Sequence, residues 1–170
     1  MAMKRTQRFF LLKFFAILIV GFLVVTTAAV EQHVVIPLTS VLASFCGGIL
    51  TAIGEPVAVL GTRIMASGFG VEILLGCNGV EAMLILVASI FAFPASARSR
   101  VIGVVVGSVA IQVVNVVRIL SLFLLGKYHR EIFDLFHSAV WQVLIILVSL
   151  GIFLLWSTRF AKPAKMADAA

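Results

Sequence analysis

Four long apolar runs, Phe9 to Val30, Gly79 to Phe93, Val101 to Leu125 and Ala139 to Trp156, constrain this chain more than any other feature. A helix that crosses a bilayer needs about 20 mainly apolar residues, and each run approaches or exceeds that length. Composition agrees: 62% of the 170 residues are hydrophobic, 12% are charged, and the mean hydropathy is +1.22. Soluble domains are only about half apolar. The expectation is a single all-α integral membrane domain over residues 1–170, with four transmembrane helices at about 9–30, 77–94, 101–125 and 138–157.

The first run follows Lys4, Arg5 and Arg8, as a signal peptide's apolar segment would. At about 22 residues it is longer than the roughly 7–15 of such a segment, and Thr26-Thr27-Ala28-Ala29 is a weak cleavage site, so it reads as a helix that stays. The net charge of +6 does not point to nucleic acid. The basic residues stand in short clusters beside apolar runs, where they act as topology signals.

The stretch Val34 to Ile53 is apolar but broken by Pro37, Thr39, Ser40, Ser44, Gly47, Gly48 and Thr51, and could either span or lie in the interface. With four spans, Lys4, Arg5, Arg8, Lys13, Arg98, Arg100, Arg159, Lys162 and Lys165 share the cytoplasmic side. A fifth span would turn Arg98, Arg100 and the basic tail outward, against the positive-inside rule. The expected topology therefore has both termini cytoplasmic and a membrane-associated outer helix and loop region at residues 31–76. Within that region Gly54-Glu55-Pro56 and Gly61 break helices. Arg63 to Leu75 is closer to alternation than to a helical period, as expected for a short hairpin or extended loop over the bundle.

Polar groups inside spans cost several kcal/mol unless paired or hydrated, which marks them as candidate functional residues. Three places qualify, all near the expected outer face. Cys77 sits in Gly76-Cys77-Asn78-Gly79-Val80-Glu81, at or next to a helix start whose free N–H groups would favour a thiolate; the alternative is a small buried thiol. Glu81 lies one turn further on the same face. The third span carries a polar stripe of Ser108, Gln112, Asn115, Arg118 and Ser121. Arg118 lies about 10 Å along the helix from Leu125, too deep for an ordinary surface charge, unless it snorkels or merely pairs with Glu81. In the third place, Asp134 and His137 are three apart where an outer loop becomes the fourth span, so the carboxylate could orient the imidazole, although an isolated His there could be only interfacial. A thiol, a guanidinium and an imidazole at one depth suit nucleophilic acyl transfer.

The segments Cys77-Asn78-Gly79-Val80-Glu81-Ala82 with Ala92-Phe93-Pro94, then Asn115-Val116-Val117-Arg118-Ile119, then Phe133-Asp134-Leu135-Phe136-His137 resemble the exosortase/archaeosortase family in order and spacing, most of all its compact exosortase H type. The resemblance covers about Val71 to Trp156, half of the chain. It implies a cysteine transpeptidase of the bacterial inner membrane facing the periplasm, with Cys77 as nucleophile, Arg118 as oxyanion or substrate-positioning group and His137 as acid and base. Implied partners are secreted proteins ending in a Pro-containing motif, a transmembrane helix and a basic tail, together with membrane lipid. Glu81, Asn115, Asp134 and Asn78 are supporting candidates whose roles the resemblance leaves open.

The alternatives are a small transporter or channel lined by the polar stripe, or an assembly subunit in which Arg118 and Glu81 lock helices together. A Cys46–Cys77 disulfide is a further possibility in an oxidising periplasm. No cofactor or metal is expected, because His33, His129 and His137 lack ligand spacing and no phosphate loop is present.

Overall fold

The computed structural model describes residues 5–161 and is an all-α integral membrane protein with a small sheet at one end. Lys4, Lys162 and Lys165, counted among the basic flanks, lie outside the described residues. Helix α1 covers Arg5–Val25. Helices α2 (Ala28–Val30) and α3 (Ile36–Ala52) are joined by the π-helical turn Glu31–Val35 into one helix, Ala28–Ala52. After the sheet come α4 (Val80–Ala92) and α5 (Ala97–Tyr128). Last, α6 (Arg130–Leu135), a π-helical turn at Phe136–Val140, α7 (Trp141–Leu155) and a second π turn at Trp156–Phe160 run on as one helix, Arg130–Phe160.

Among the described residues four helices are long and apolar enough to cross a membrane, Gln7–Val25, Ala28–Ala52, Ala97–Tyr128 and Arg130–Phe160. The number is the expected one, but the set differs. Residues expected as an interfacial region form a continuous helix of crossing length, because the residues that looked like breaks are accommodated within it. Pro37 follows directly on the π turn Glu31–Val35, the kind of local widening by which a continuous helix accommodates a proline. The hydroxyls of Thr39, Ser40, Ser44 and Thr51 donate to carbonyls four residues back. Its contacts lie at one end of the bundle: Thr39 accepts from Asn78, and Cys46 and Leu50 share a core with Ile119 and Phe123.

The expected second span, about 77–94, contains a helix of 13 residues, α4, which rises only about 20 Å. It can be short because it is enclosed. Helices α1, α5 and α7 all pack on it, and Leu86 and Ile90 are fully buried. Non-helical backbone is tolerated at membrane depth where protein surrounds it. By contrast α5, with 32 residues, rises about 48 Å, well beyond a hydrocarbon core of about 30 Å. The start of α4 is therefore recessed below the tip of α5.

Helix α5 has two faces. Val101, Val105, Val109, Val113 and Val117, at intervals of four, are exposed as a lipid-facing stripe. On the other face Gly103, Gly107, Ile111, Asn115, Arg118 and Leu122 are buried. At the end away from the sheet, Trp156 Nε1 donates to the Ser99 carbonyl at 3.1 Å and the Ser99 hydroxyl to the Phe160 carbonyl at 2.8 Å.

The stretch that alternated in the sequence is an antiparallel three-stranded sheet, β1 (Ala58–Leu60), β2 (Arg63–Ala66) and β3 (Phe69–Glu72), in the order β1-β2-β3. Ile64 and Ile73 seat it on the core formed by α3 and the distal part of α5. Phe69 locks its far turn by packing edge-on to Phe123 and Phe133. Glu55 fastens the lead-in to the sheet by accepting hydrogen bonds from Lys127 and Tyr128 at the end of α5.

Candidate active site

The connection between β3 and α4 is a tight loop built around two glycines. Gly76 has φ +94° and Gly79 φ +81°, conformations that other residues adopt only at a cost. Asn78 is buried between them and holds the loop from both sides. Its Oδ1 accepts from the Val80 N–H at 3.1 Å, its Nδ2 donates to Thr39 Oγ1 at 3.1 Å, and its carbonyl accepts from Gln112 Nε2 at 3.0 Å. Asn115 backs Gly79 so closely that a Cβ there would meet its amide at 3.2 Å. Asn78 and Asn115 therefore position the loop that presents Cys77.

Cys77 is not on the helix itself but two residues before Gly79, the N-cap of α4. The expected activation by the helix start is thus weakened by distance, since that field falls off within a turn. Burial pushes the thiol up from its ordinary value, the Arg118 guanidinium pulls it down, and Glu81 adds to the rise. His137 Nε2 lies 3.2 Å from Cys77 Sγ, within reach of its proton.

Arg118 is 2% exposed and approaches from α5. Its Nη1 donates to the Gly76 carbonyl at 3.1 Å, and its Nη2 to Gln142 Oε1 at 3.3 Å and to Cys77 Sγ at 3.8 Å. Among the described residues no carboxylate lies within ion-pair distance of it. The expected pairing with Glu81 is absent, because the guanidinium is turned toward the loop carbonyl and α7. A buried, permanently charged cation paired only with neutral groups favours an anion placed beside it.

His137 is oriented differently from expectation too. No hydrogen bond joins it to Asp134, whose backbone carbonyl accepts from Ser138 and whose side chain is exposed at a cleft. The imidazole stacks on Phe133 instead, with ring centroids 5.5 Å apart and planes 6° from parallel. Residues three and four back share a helical face, and it is Phe133, four back, whose ring meets the imidazole. Gln142, the α7 residue that holds Arg118, went unread in the sequence. Its signal was a lone amide at the start of an otherwise apolar helix.

Sγ, Nε2 and the guanidinium thus converge from three elements, and a cleft of about 500 Å³ opens beside them between β3 and α6, with Cys77 and His137 in its wall. Cys46 and Cys77 are both free thiols, so the possible disulfide between them is not formed, and Cys46 is fully buried in the α3 core. A family model described as transmembrane exosortase matches residues 4–157. No curated protein and no solved structure matches the chain.

Proposed function

The chain belongs to the transmembrane exosortase family, and on that footing we propose that it is a cysteine transpeptidase that cleaves C-terminal sorting signals of secreted proteins. The observation that carries this reading is Cys77 Sγ, 3.2 Å from His137 Nε2 and 3.8 Å from the buried Arg118 guanidinium. His137 Nε2 takes the thiol proton as Sγ attacks the scissile carbonyl. The tetrahedral oxyanion forms beside Arg118 Nη2. His137 returns the proton to the leaving amine, and a thioester remains on Cys77. An acceptor amine then attacks the thioester, gives up its proton through His137, and releases Cys77 as the thiol.

The cleft lies at the sheet end of the bundle, while Arg98, Arg100 and Arg159 lie at the other. By the positive-inside rule that other end is cytoplasmic, which puts the cleft at the periplasmic face of a bacterial inner membrane. In this topology α1, α4, α5 and the α6–α7 helix cross, and Ala28–Ala52 packs along the periplasmic end. A permeation path is disfavoured by close packing toward the cytoplasmic end. A Cβ on Gly103 would lie 2.4 Å from Trp156, and one on Gly107 would lie 2.5 Å from Leu86.

Co-expression with a secreted protein bearing a Pro-containing motif, a transmembrane helix and a basic tail tests the proposal. Wild type should remove the tail, and Cys77→Ala, Arg118→Ala and His137→Ala should each leave it intact. Tail removal by all three variants would sink the proposal.

A further inference from the structure

Strand β3 is an edge of the sheet, and its free side borders the cleft. The cleft is lined by five consecutive residues, Phe69, Gly70, Val71, Glu72 and Ile73. A sheet face would contribute every second residue, because side chains alternate, so the cleft runs along the strand's edge. The opposite edge, β1, is not free in this way: Val59 packs against Gly47 of α3.

The register identifies which main-chain groups face the cleft. The Ile73 N–H donates to the Thr62 carbonyl at 3.0 Å, and β2 and β3 pair Arg63 with Glu72, Ile64 with Val71, Met65 with Gly70 and Ala66 with Phe69. In an antiparallel ladder, bonded and non-bonded pairs alternate. Counting from the Thr62–Ile73 pair, Val71 and Phe69 bond to β2, whereas the N–H and C=O groups of Gly70 and Glu72 point away from it. Both residues are exposed. The edge therefore offers two donors and two acceptors in a row, and beyond Ile73 the chain turns at Leu75–Cys77, where the Cys77 N–H donates to the Leu74 carbonyl and the thiol is set beside the end of the strand.

We infer that the sorting signal is held as an added strand on the free edge of β3, where main-chain bonds to Gly70 and Glu72 carry its extended segment past Cys77 Sγ and His137. This rests on the transpeptidase reading and specifies how its substrate binds. Strand addition takes affinity from the main chain and is tolerant of side chains. It also accommodates proline, since every second N–H of the added strand points away from β3, and a proline there costs no bond.

The test uses wild-type protein in lipid nanodiscs and synthetic peptides spanning the Pro-containing segment of a tailed protein from the same cell. In each peptide one amide N–H is replaced by an ester oxygen. Strand addition predicts a period of two: ester replacement at alternate positions raises KM by about three- to tenfold, and the positions between leave it unchanged. On the protein side, Gly70→Pro, which deletes a donor not used by the sheet, should raise KM similarly. Cleavage insensitive to every ester, or sensitive without alternation, would overturn the inference and leave the transpeptidase reading intact. Parent peptide left equally uncut by wild type and Cys77→Ala would overturn both.

Discussion

Replacing Arg118 with methionine removes a buried charge while nearly keeping its volume. The guanidinium lies 3.8 Å from Cys77 Sγ. At an effective dielectric constant of about 20, a unit charge at that distance interacts with a thiolate or neighbouring oxyanion by about 4 kcal/mol, or roughly a thousandfold in rate. Among the described residues the other group within hydrogen-bond reach of Sγ is His137, which carries charge only after it has taken the thiol proton. Arg118→Met should therefore lower kcat/KM for tail cleavage by about two to three orders of magnitude. Reaction of Cys77 with iodoacetamide, followed by peptide mass mapping across pH, should shift its midpoint upward. Arg118→Lys separates charge from geometry: it keeps much of the alkylation profile but loses the fork that bridges the Gly76 carbonyl and Gln142. If Arg118→Met leaves the alkylation profile unmoved and costs less than about tenfold in kcat/KM, the charge does not act on the sulfur and the electrostatic argument is wrong.

Phe133→Leu should reduce kcat/KM by about two- to tenfold through loss of the ring stacked on His137, whereas Asp134→Asn should stay near wild type; peptide cleavage rates measured side by side distinguish the two. Gly79→Ala forces a Cβ into a left-handed conformation and against Asn115 and Gln112, so thermal unfolding in detergent should reveal a loss of about 1–2 kcal/mol or more. Hydrogen bonds from Lys127 and then Tyr128 hold the Glu55 carboxyl below its ordinary value. A depressed carboxyl contributes stability above its ordinary titration range and loses it as pH falls toward the folded value. Glu55→Gln should therefore flatten the acid side of a melting-temperature profile, and an unchanged acid limb would show that this contact does not couple to folding.

Much of the site was legible because its residues break local rules. An arginine in an apolar run, a cysteine between glycines and a histidine at a span boundary stand out without knowledge of their neighbours, and three motifs in order tie them to one family. Asn78 and Asn115 were visible as polar residues near the site, but not as the supports of the Cys77 loop. That role depends on Thr39, 39 residues away, and on Gln112, 34 residues away from Asn78. Asp134 was misread for a more local reason. Residues 133 and 134 both share a helical face with His137, and which of them meets the imidazole is set by side-chain orientation, which spacing does not give.

The sequence by itself determined that this chain belongs in a bilayer, because hydropathy is a sum over neighbouring residues and needs no fold to be evaluated. It also determined which side chains are chemically out of place there. Only the tertiary structure decided what those side chains meet: Arg118 with the Gly76 carbonyl and Gln142 instead of Glu81, His137 with Cys77 and Phe133 instead of Asp134, and β3 with an open edge beside the thiol. Such pairings depend on distances of a few ångströms between segments far apart in the chain. Those distances are set by how a short, enclosed helix seats its leading loop among longer ones.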